Sequence, residues 1–138
     1  MTIHVDIVSA EEEIFSGLAE MVFAPAALGE VGIAPRHAPM ITHLNPGEVR
    51  VKLTEPAGEQ NFYVSGGMLE VQPHVITVLA DTAIRAKDID EAAALEAKTK
   101  AEEALAGKSG EVDYAKAQAQ LLEAMSQLRA LERFRRLR

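Results

Sequence analysis

The chain has 138 residues, 48% hydrophobic and 25% charged, which suits one ordinary globular domain or a small domain with an appendage. With no cysteine it carries no disulfide framework, thiol nucleophile or cysteine-held metal, and no apolar run nears the roughly 20 residues that span a bilayer. A formal charge of −7, with a pI near 5.1, argues against unspecific binding to nucleic acid or an anionic membrane over the whole surface. The first residues lack a basic stretch followed by an apolar one, so no signal peptide is expected.

The charge is unevenly spread. Residues 1–86 carry 4 basic and 11 acidic side chains, whereas 87–138 carry 10 of each. All 6 prolines and 7 of the 9 glycines precede residue 87, and 12 of the 52 residues after 86 are alanine. The change of character near Lys87 predicts two domains, 1–86 and 87–138.

Short strands with tight turns are expected in the first. Ile3, Val5 and Ile7 alternate with their neighbours, as do Val49, Val51 and Leu53, and Val75, Thr77 and Leu79, each set predicting one buried face. Turn signals fall between them at Ser16-Gly17, Leu28-Gly29, Asn45-Pro46-Gly47, Ala57-Gly58, Ser65-Gly66-Gly67 and Gln72-Pro73. Pro46-Gly47 predicts a type II turn with positive φ at the glycine. The spacing is that of a compact β-sandwich or barrel.

The second part reads as two helices joined by Gly107-Lys108-Ser109-Gly110. Asp88, with Glu91 three residues on, predicts a capping box for the first. Its stripe is Asp90, Ala94, Ala97, Ala101 and Ala104/Leu105. The second shows Tyr114, Ala117, Leu121, Ala124, Leu128 and Leu131, with Leu122 and Met125 beside them. So short a link predicts an antiparallel hairpin.

Little catalytic chemistry is legible. Gly107-Lys108-Ser109 resembles the end of a phosphate loop, but Glu102 stands where the first glycine belongs and a helix precedes it instead of a strand. The histidines His4, His37, His43 and His74 lack metal-ligand spacing, and Glu11-Glu12-Glu13 reads as a solvated run. His37, between Pro35 and Pro39, is the one in an ordered-looking loop, with an interface or structural role favoured over catalysis. No catalytic, metal or cofactor residue is named, and the chain by itself is not expected to be an enzyme.

Arg129, Arg133 and Arg136 fall at i, i+4 and i+7 on one helical face. Three readings stay open. One is a solvated end favoured by the helix dipole, and another is docking on an acidic partner through arginine–carboxylate forks. The third, nucleic acid, is disfavoured by the acidity of the rest and by Phe134 being the only nearby aromatic.

The run Val8-Ser9-Ala10-Glu11 with Ile14-Phe15-Ser16-Gly17 resembles the opening of the epsilon subunit of bacterial rotary ATP synthases. So do Gly29-Glu30-Val31-Gly32-Ile33-Ala34-Pro35-Arg36-His37-Ala38-Pro39, then Thr42, Leu44 and Pro46-Gly47. Ser65-Gly66-Gly67 with Leu69-Glu70-Val71, Leu79-Ala80-Asp81, Ile89-Asp90-Glu91-Ala92 and Asp113-Tyr114-Ala115 extend the likeness over the whole chain. The resemblance implies an α+β chain, an antiparallel β-sandwich of about ten strands followed by a two-helix hairpin. It implies a noncatalytic central-stalk subunit, peripheral on the cytoplasmic face of the bacterial inner membrane and not inserted in it. Its implied partners are the gamma subunit, the rotor ring of c subunits and, with the hairpin extended to block ATP hydrolysis, the alpha and beta subunits. By analogy the loop from Glu30 to His37, including Pro35, with Ser9 nearby, is the candidate rotor and gamma contact, and Arg129, Arg133 and Arg136 the candidate contacts of the extended arm.

One departure bears on cofactors. Some members bind ATP through Ile/Leu-Asp-x-x-Arg-Ala, and here the run is Ile89-Asp90-Glu91-Ala92-Ala93-Ala94, with Ala93 in the arginine's place. Two further arginines of that site align with Glu123 and Gln127, so weak or no ATP binding is expected. The rival from another class is a freestanding β-sandwich adaptor dimerising through its helical hairpin.

Overall fold

Alternating sequence becomes alternating burial through most of the first 85 residues. The computed structural model describes residues 1–54, 58–106 and 114–136. Its strands are β1 (Ile3–Ser9), β2 (Glu13–Ala26), β3 (Gly29–Ile33), β4 (Met40–Leu44), β5 (Gly47–Leu53), β6 (Glu59–Val64), β7 (Gly67–Val71), β8 (Val75–Ala80) and β9 (Ala83–Arg85). A 3₁₀ turn (Ala86–Asp88) leads to α1 (Glu91–Leu105) and α2 (Tyr114–Arg136). Nine strands thus stand among the described residues where about ten were expected.

The strand path is β1-β8-β7-β4-β2-β5-β6-β9, with β3 on β2 and β1 also paired to β2. All pairs are antiparallel except β1–β8. The 14-residue β2 serves both layers. Its first half pairs with β1 and its second with β5 and β3. A register shift between Ala19 and Met21 separates the halves. Ala19 is inward before it, and Val22, Ala24 and Ala26 after it, so one extra residue reverses which parity faces the core. Between the layers lie Ile3, Val5, Ile7, Val49, Val51, Phe62, Leu69, Val71, Ile76 and Val78, all buried. Burial of one such side chain contributes about 1.5–3 kcal/mol.

Three local expectations are corrected. In β8 the inward residues are Ile76, Val78 and Ala80, while Leu79 is 48% exposed. Almost every residue of Val75–Ala80 is apolar, so sequence contrast did not set the phase; pairing with β1 and β7 does. Gly47 is not among the positive-φ glycines and opens β5 directly. Its lack of a side chain serves packing, since a Cβ there would meet Pro25 at 3.0 Å. Asn45 holds that turn instead, its amide donating to Pro25 O at 2.8 Å and Nδ2 to Ala26 O at 3.1 Å. Finally, α1 is capped by Asp90, whose Oδ1 accepts from Ala93 N at 3.1 Å, because Asp88 is spent in the 3₁₀ turn and Ile89 is extended.

The hairpin packs α1 against α2 and lays α2 on the sandwich. Ala94 and Ala101 are buried on α1, and Ala117 and Ala124 on α2. Tyr114, expected within the apolar stripe, is 55% exposed, and its hydroxyl donates to Leu105 O at the end of α1. Farther along α2, Ala130, Leu131 and Phe134 meet Tyr63, Ile84, Ala86 and Ile89. The link at 107–110 lies outside the described residues.

Gly67 is the most confined of the described glycines. Its φ is +139°, and a Cβ would stand 2.1 Å from Leu79 O, a backbone atom that cannot swing away. Gly67→Ala is expected to destabilise the fold by about 3 kcal/mol in urea unfolding. A loss below 1 kcal/mol would show that the β7–β8 pair can spread.

Candidate functional site

The segment from Glu30 to His37 is not one loop. Glu30–Ile33 completes β3, and residues 34–39 alone connect it to β4. Arg36 N donates to Pro73 O at 2.9 Å, and His37 N to Ala34 O at 3.2 Å, closing a tight turn with Arg36 at φ 66°. Pro35 and His37 are half-buried there. His37 Nδ1 donates to Ala38 O at 2.8 Å, which fixes the tautomer and leaves Nε2 as an acceptor in the neutral ring.

Ser9 lies elsewhere. It pairs with Ala80 at the far end of β8, whereas the His37 turn is tied to Pro73 before β8 begins. Six residues of strand, about 20 Å, separate the two ends. Ser9 Oγ is occupied within its own turn, donating to Glu12 O and accepting from the amides of Glu11 and Glu12. Sharing its end of the sandwich are the Asn45 turn, the braced Ser65–Thr82 pair and the fully exposed Leu28. Glu30 belongs near that end, on the outer face of β3, and accepts from Arg50 Nη2 at 3.0 Å.

A surface that the sequence reading missed spans the outer face of β1, β8, β7 and β4. Register aligns His43, Met68, Leu79 and Val8 in one row, and Ile41, Glu70, Thr77 and Asp6 in the next. Ile41 is 69% exposed and Leu79 48%, while Leu18 on neighbouring β2 is 56% exposed. These exposed apolar side chains are spread over one sheet face among His43, Glu70, Thr77 and Asp6. Alternation was no guide in β4 and β8, which carry apolar residues on both faces, whereas β1 keeps His4 and Asp6 outward.

The same face brings together Ser16, His4 and Asp6, which no sequence spacing announced. Ser16 Oγ donates to Asp6 Oδ1 at 2.7 Å, and His4 Nε2 lies 2.9 Å from that same oxygen. This is not a nucleophilic triad. The serine proton is held by the carboxylate, and the aspartate meets the nitrogen a base would need for the serine.

On the hairpin, Arg129 Nη2 donates to Ser126 Oγ at 3.3 Å, Arg136 pairs with Glu132, and Arg133 is exposed, its charge acting on the carboxyl of Glu48 on β5 without a direct bond. Arg135, which the stripe reading passed over, clamps the two helices through Glu91 at 2.7 Å. That hydrogen bond and charge hold the Glu91 carboxyl below its ordinary range.

Ala93, Glu123 and Gln127 do converge. They line a cavity of about 450 Å³ with Asp88, Asp90 and Lys100, among alanines of both helices. Three carboxylates against one ammonium make poor surroundings for a polyphosphate. Among the described residues no cluster of metal-binding side chains occurs, and no helix is long and apolar enough to cross a membrane.

The described residues thus form a β-sandwich with exposed apolar side chains on one layer and a helical hairpin laid on the other. The profile of the ATP synthase, Delta/Epsilon chain, beta-sandwich domain matches residues 2–86, and that of its long alpha-helix domain matches 87–132. The chain belongs to the ATP synthase delta/epsilon chain family. It is 67% identical to the ATP synthase epsilon chain of Nitrosococcus oceani over 99% of this chain and 96% of that one. With ATP synthase epsilon chain 1 of Methylococcus capsulatus it shares 68% identity over the same fractions. A chain in the Euglena gracilis mitochondrial ATP synthase has the same fold, with a TM-score of 0.82 at 20% identity, covering 94% of this chain and 81% of that one. Another, in the central stalk and c-ring of the Tetrahymena thermophila mitochondrial ATP synthase, aligns at a TM-score of 0.60 and 13% identity, over 95% of this chain and 97% of that one.

The Glu91–Arg135 clamp gives a signed pH dependence. A carboxyl held low in the folded state stabilises above its ordinary pKa and loses that contribution as pH falls through the lowered value. Amides of α1 should therefore exchange faster in acid relative to those of the sandwich. Arg135→Gln should abolish that difference, and an unchanged acid response in the variant would assign it elsewhere.

Proposed function

We propose that this chain is a noncatalytic central-stalk subunit of a proton-translocating F-type ATP synthase, coupling proton flow to ATP synthesis and restraining ATP hydrolysis through its helical arm. The observation that carries this reading is the match of both halves, in order, to the delta/epsilon family at full length. The proposed site is peripheral, at the cytoplasmic face of the bacterial inner membrane. In this reading the sandwich binds the gamma subunit and the c ring. The exposed face around Ile41 and Leu79, bordered by the Pro35–His37 turn, offers one protein-binding surface. The loop end with Ser9, Leu28 and Glu30 offers another.

The arm, 87–138, is proposed to leave the sandwich and reach the alpha and beta subunits, where Arg129, Arg133 and Arg136 meet carboxylates. Its packing supports that mobility. The surfaces between α1 and α2 are mostly methyls, and the junction with the sandwich is a small cluster around Leu131 and Tyr63. Contacts of this size hold two states within a few kcal/mol, a gap a partner can overcome. Nucleotide binding at the Ala93–Glu123–Gln127 cavity is proposed to be weak or absent. The rival adaptor needs the α2 stripe free for a second copy, whereas Ala117 and Ala124 are already buried within this chain.

The deciding experiment is reconstitution on membranes stripped of this subunit. A chain ending at Ala86 should fold, bind gamma and restore proton-coupled ATP synthesis while leaving hydrolysis unrestrained. The full chain with Arg129, Arg133 and Arg136 changed to glutamate should assemble normally and hydrolyse ATP several-fold faster than the parent at low salt. Equal hydrolysis rates would remove the arginine brake, and failure of the 1–86 chain to bind gamma would remove the division of labour.

A further inference from the structure

Strand β5 alternates Glu48, Arg50 and Lys52 outward with Val49 and Val51 inward, the pattern of a strand with one face in water. Yet α2 lies over part of that outer face. Glu48 is only 8% exposed, and its register partner on β6 is the fully buried Tyr63. Neither carboxyl oxygen of Glu48 has a hydrogen-bond partner, and Tyr63 OH and Asn61 Oδ1 beside it are equally unpartnered. Arg50 does not repair this. Its Nε is 3.8 Å from Glu48 Oε1, too far for a hydrogen bond, and its guanidinium is shared among Glu30 at 3.0 Å, Glu59 at 4.0 Å and the Phe23 ring at 4.3 Å. A carboxyl so placed is tolerated when protonated and opposes burial when ionised.

We propose that Glu48 is a proton-operated latch between sandwich and arm, holding α2 down while protonated and favouring its release once ionised. The proposal rests on the mobile arm argued above. Burial pushes the Glu48 carboxyl above its ordinary value of 4.5, against the pull of Arg133 from α2 and then Arg50 from its own strand. Glu59 of β6 and Glu30 of β3 push in the same direction as burial. Tyr63 is held well above its usual range by burial and by Glu123 of α2, so it stays neutral and does not titrate with the latch.

Once the arm lifts, Glu48 returns to water and to its ordinary pKa. A pKa higher in the docked state means docking is strongest below the ordinary value and weakens as pH rises through the docked one. One proton couples to the transition, so the undocked-to-docked ratio rises at most tenfold per pH unit across that window. This is opposite in sign to the Glu91–Arg135 clamp, which acts within the arm and fails in acid.

Because the chain has no native cysteine, spin labels can be placed on the full chain at Gln72→Cys and Glu103→Cys. Distance distributions between about pH 4 and pH 8 then give the undocked-to-docked ratio. The parent should release as pH rises. Glu48→Gln should stay docked with no pH dependence. Arg133→Gln changes an exposed residue that does not threaten folding; it removes the cation that stabilises ionised Glu48 in the docked state, so it should increase release at high pH and extend the titrating window upward. Retention of the parental profile by Glu48→Gln overturns the latch. A pH-independent parent whose arm still separates at high salt also overturns it, while leaving the mobile arm standing. A single docked distance under every condition overturns both.

Discussion

The parity switch in β2 is the constraint on which the fold depends. A strand presents every second residue to one face, and β2 must line the core from two directions, first beside β1 and then between β3 and β5. Without the extra residue near Glu20, either Ala19 or the set Val22, Ala24 and Ala26 would turn to solvent. The shift lets one chain segment close the layers on each other. It also brings the β5–β6 surface to where α2 can lie on it, so the seat of the arm follows from a bulge many residues away.

Two kinds of interior result. Between the layers the sandwich is dry and closely packed by Ile, Val, Leu and Phe. Under α2 it is a mixture of a few apolar side chains with buried polar atoms that have no partners. The first is the kind of interface that a single transition disrupts, because every group depends on every other. The second carries its own opposition. Glu48, Asn61 and Tyr63 each lose water without gaining a hydrogen bond when the helix covers them.

Much of this was legible from residue order, and the misses have specific causes. Ile3, Val5 and Ile7 are buried as their spacing requires, and the two helices expected after the strands are α1 and α2. In β8, apolar residues on both faces erased the contrast on which a period of two relies. The choice of Asp90 over Asp88 as cap depended on a short 3₁₀ turn that sequence spacing does not announce. Ser16 meeting His4, and Arg135 meeting Glu91, are products of strand and helix pairing between distant residues. Glu48 is the clearest case. Its own strand reads as half-solvated, and the helix that covers it begins more than 60 residues later. As for the candidate contacts, Ser9 and the His37 loop come from separate stretches grouped only by analogy, and the length of β8 keeps them apart.

The alanine seam between α1 and α2 has a further consequence. The buried methyls recur at seven-residue intervals, Ala94 and Ala101 on α1 and Ala117 and Ala124 on α2, while Ala97 of the expected stripe is exposed, so the seam itself offers few features that fix one longitudinal alignment. Alignment is supplied by two polar pins at opposite ends, Tyr114 on the last turn of α1 and Arg135 on its first. The arm therefore carries the marks that set its length at its two tips, with a nearly featureless seam between them.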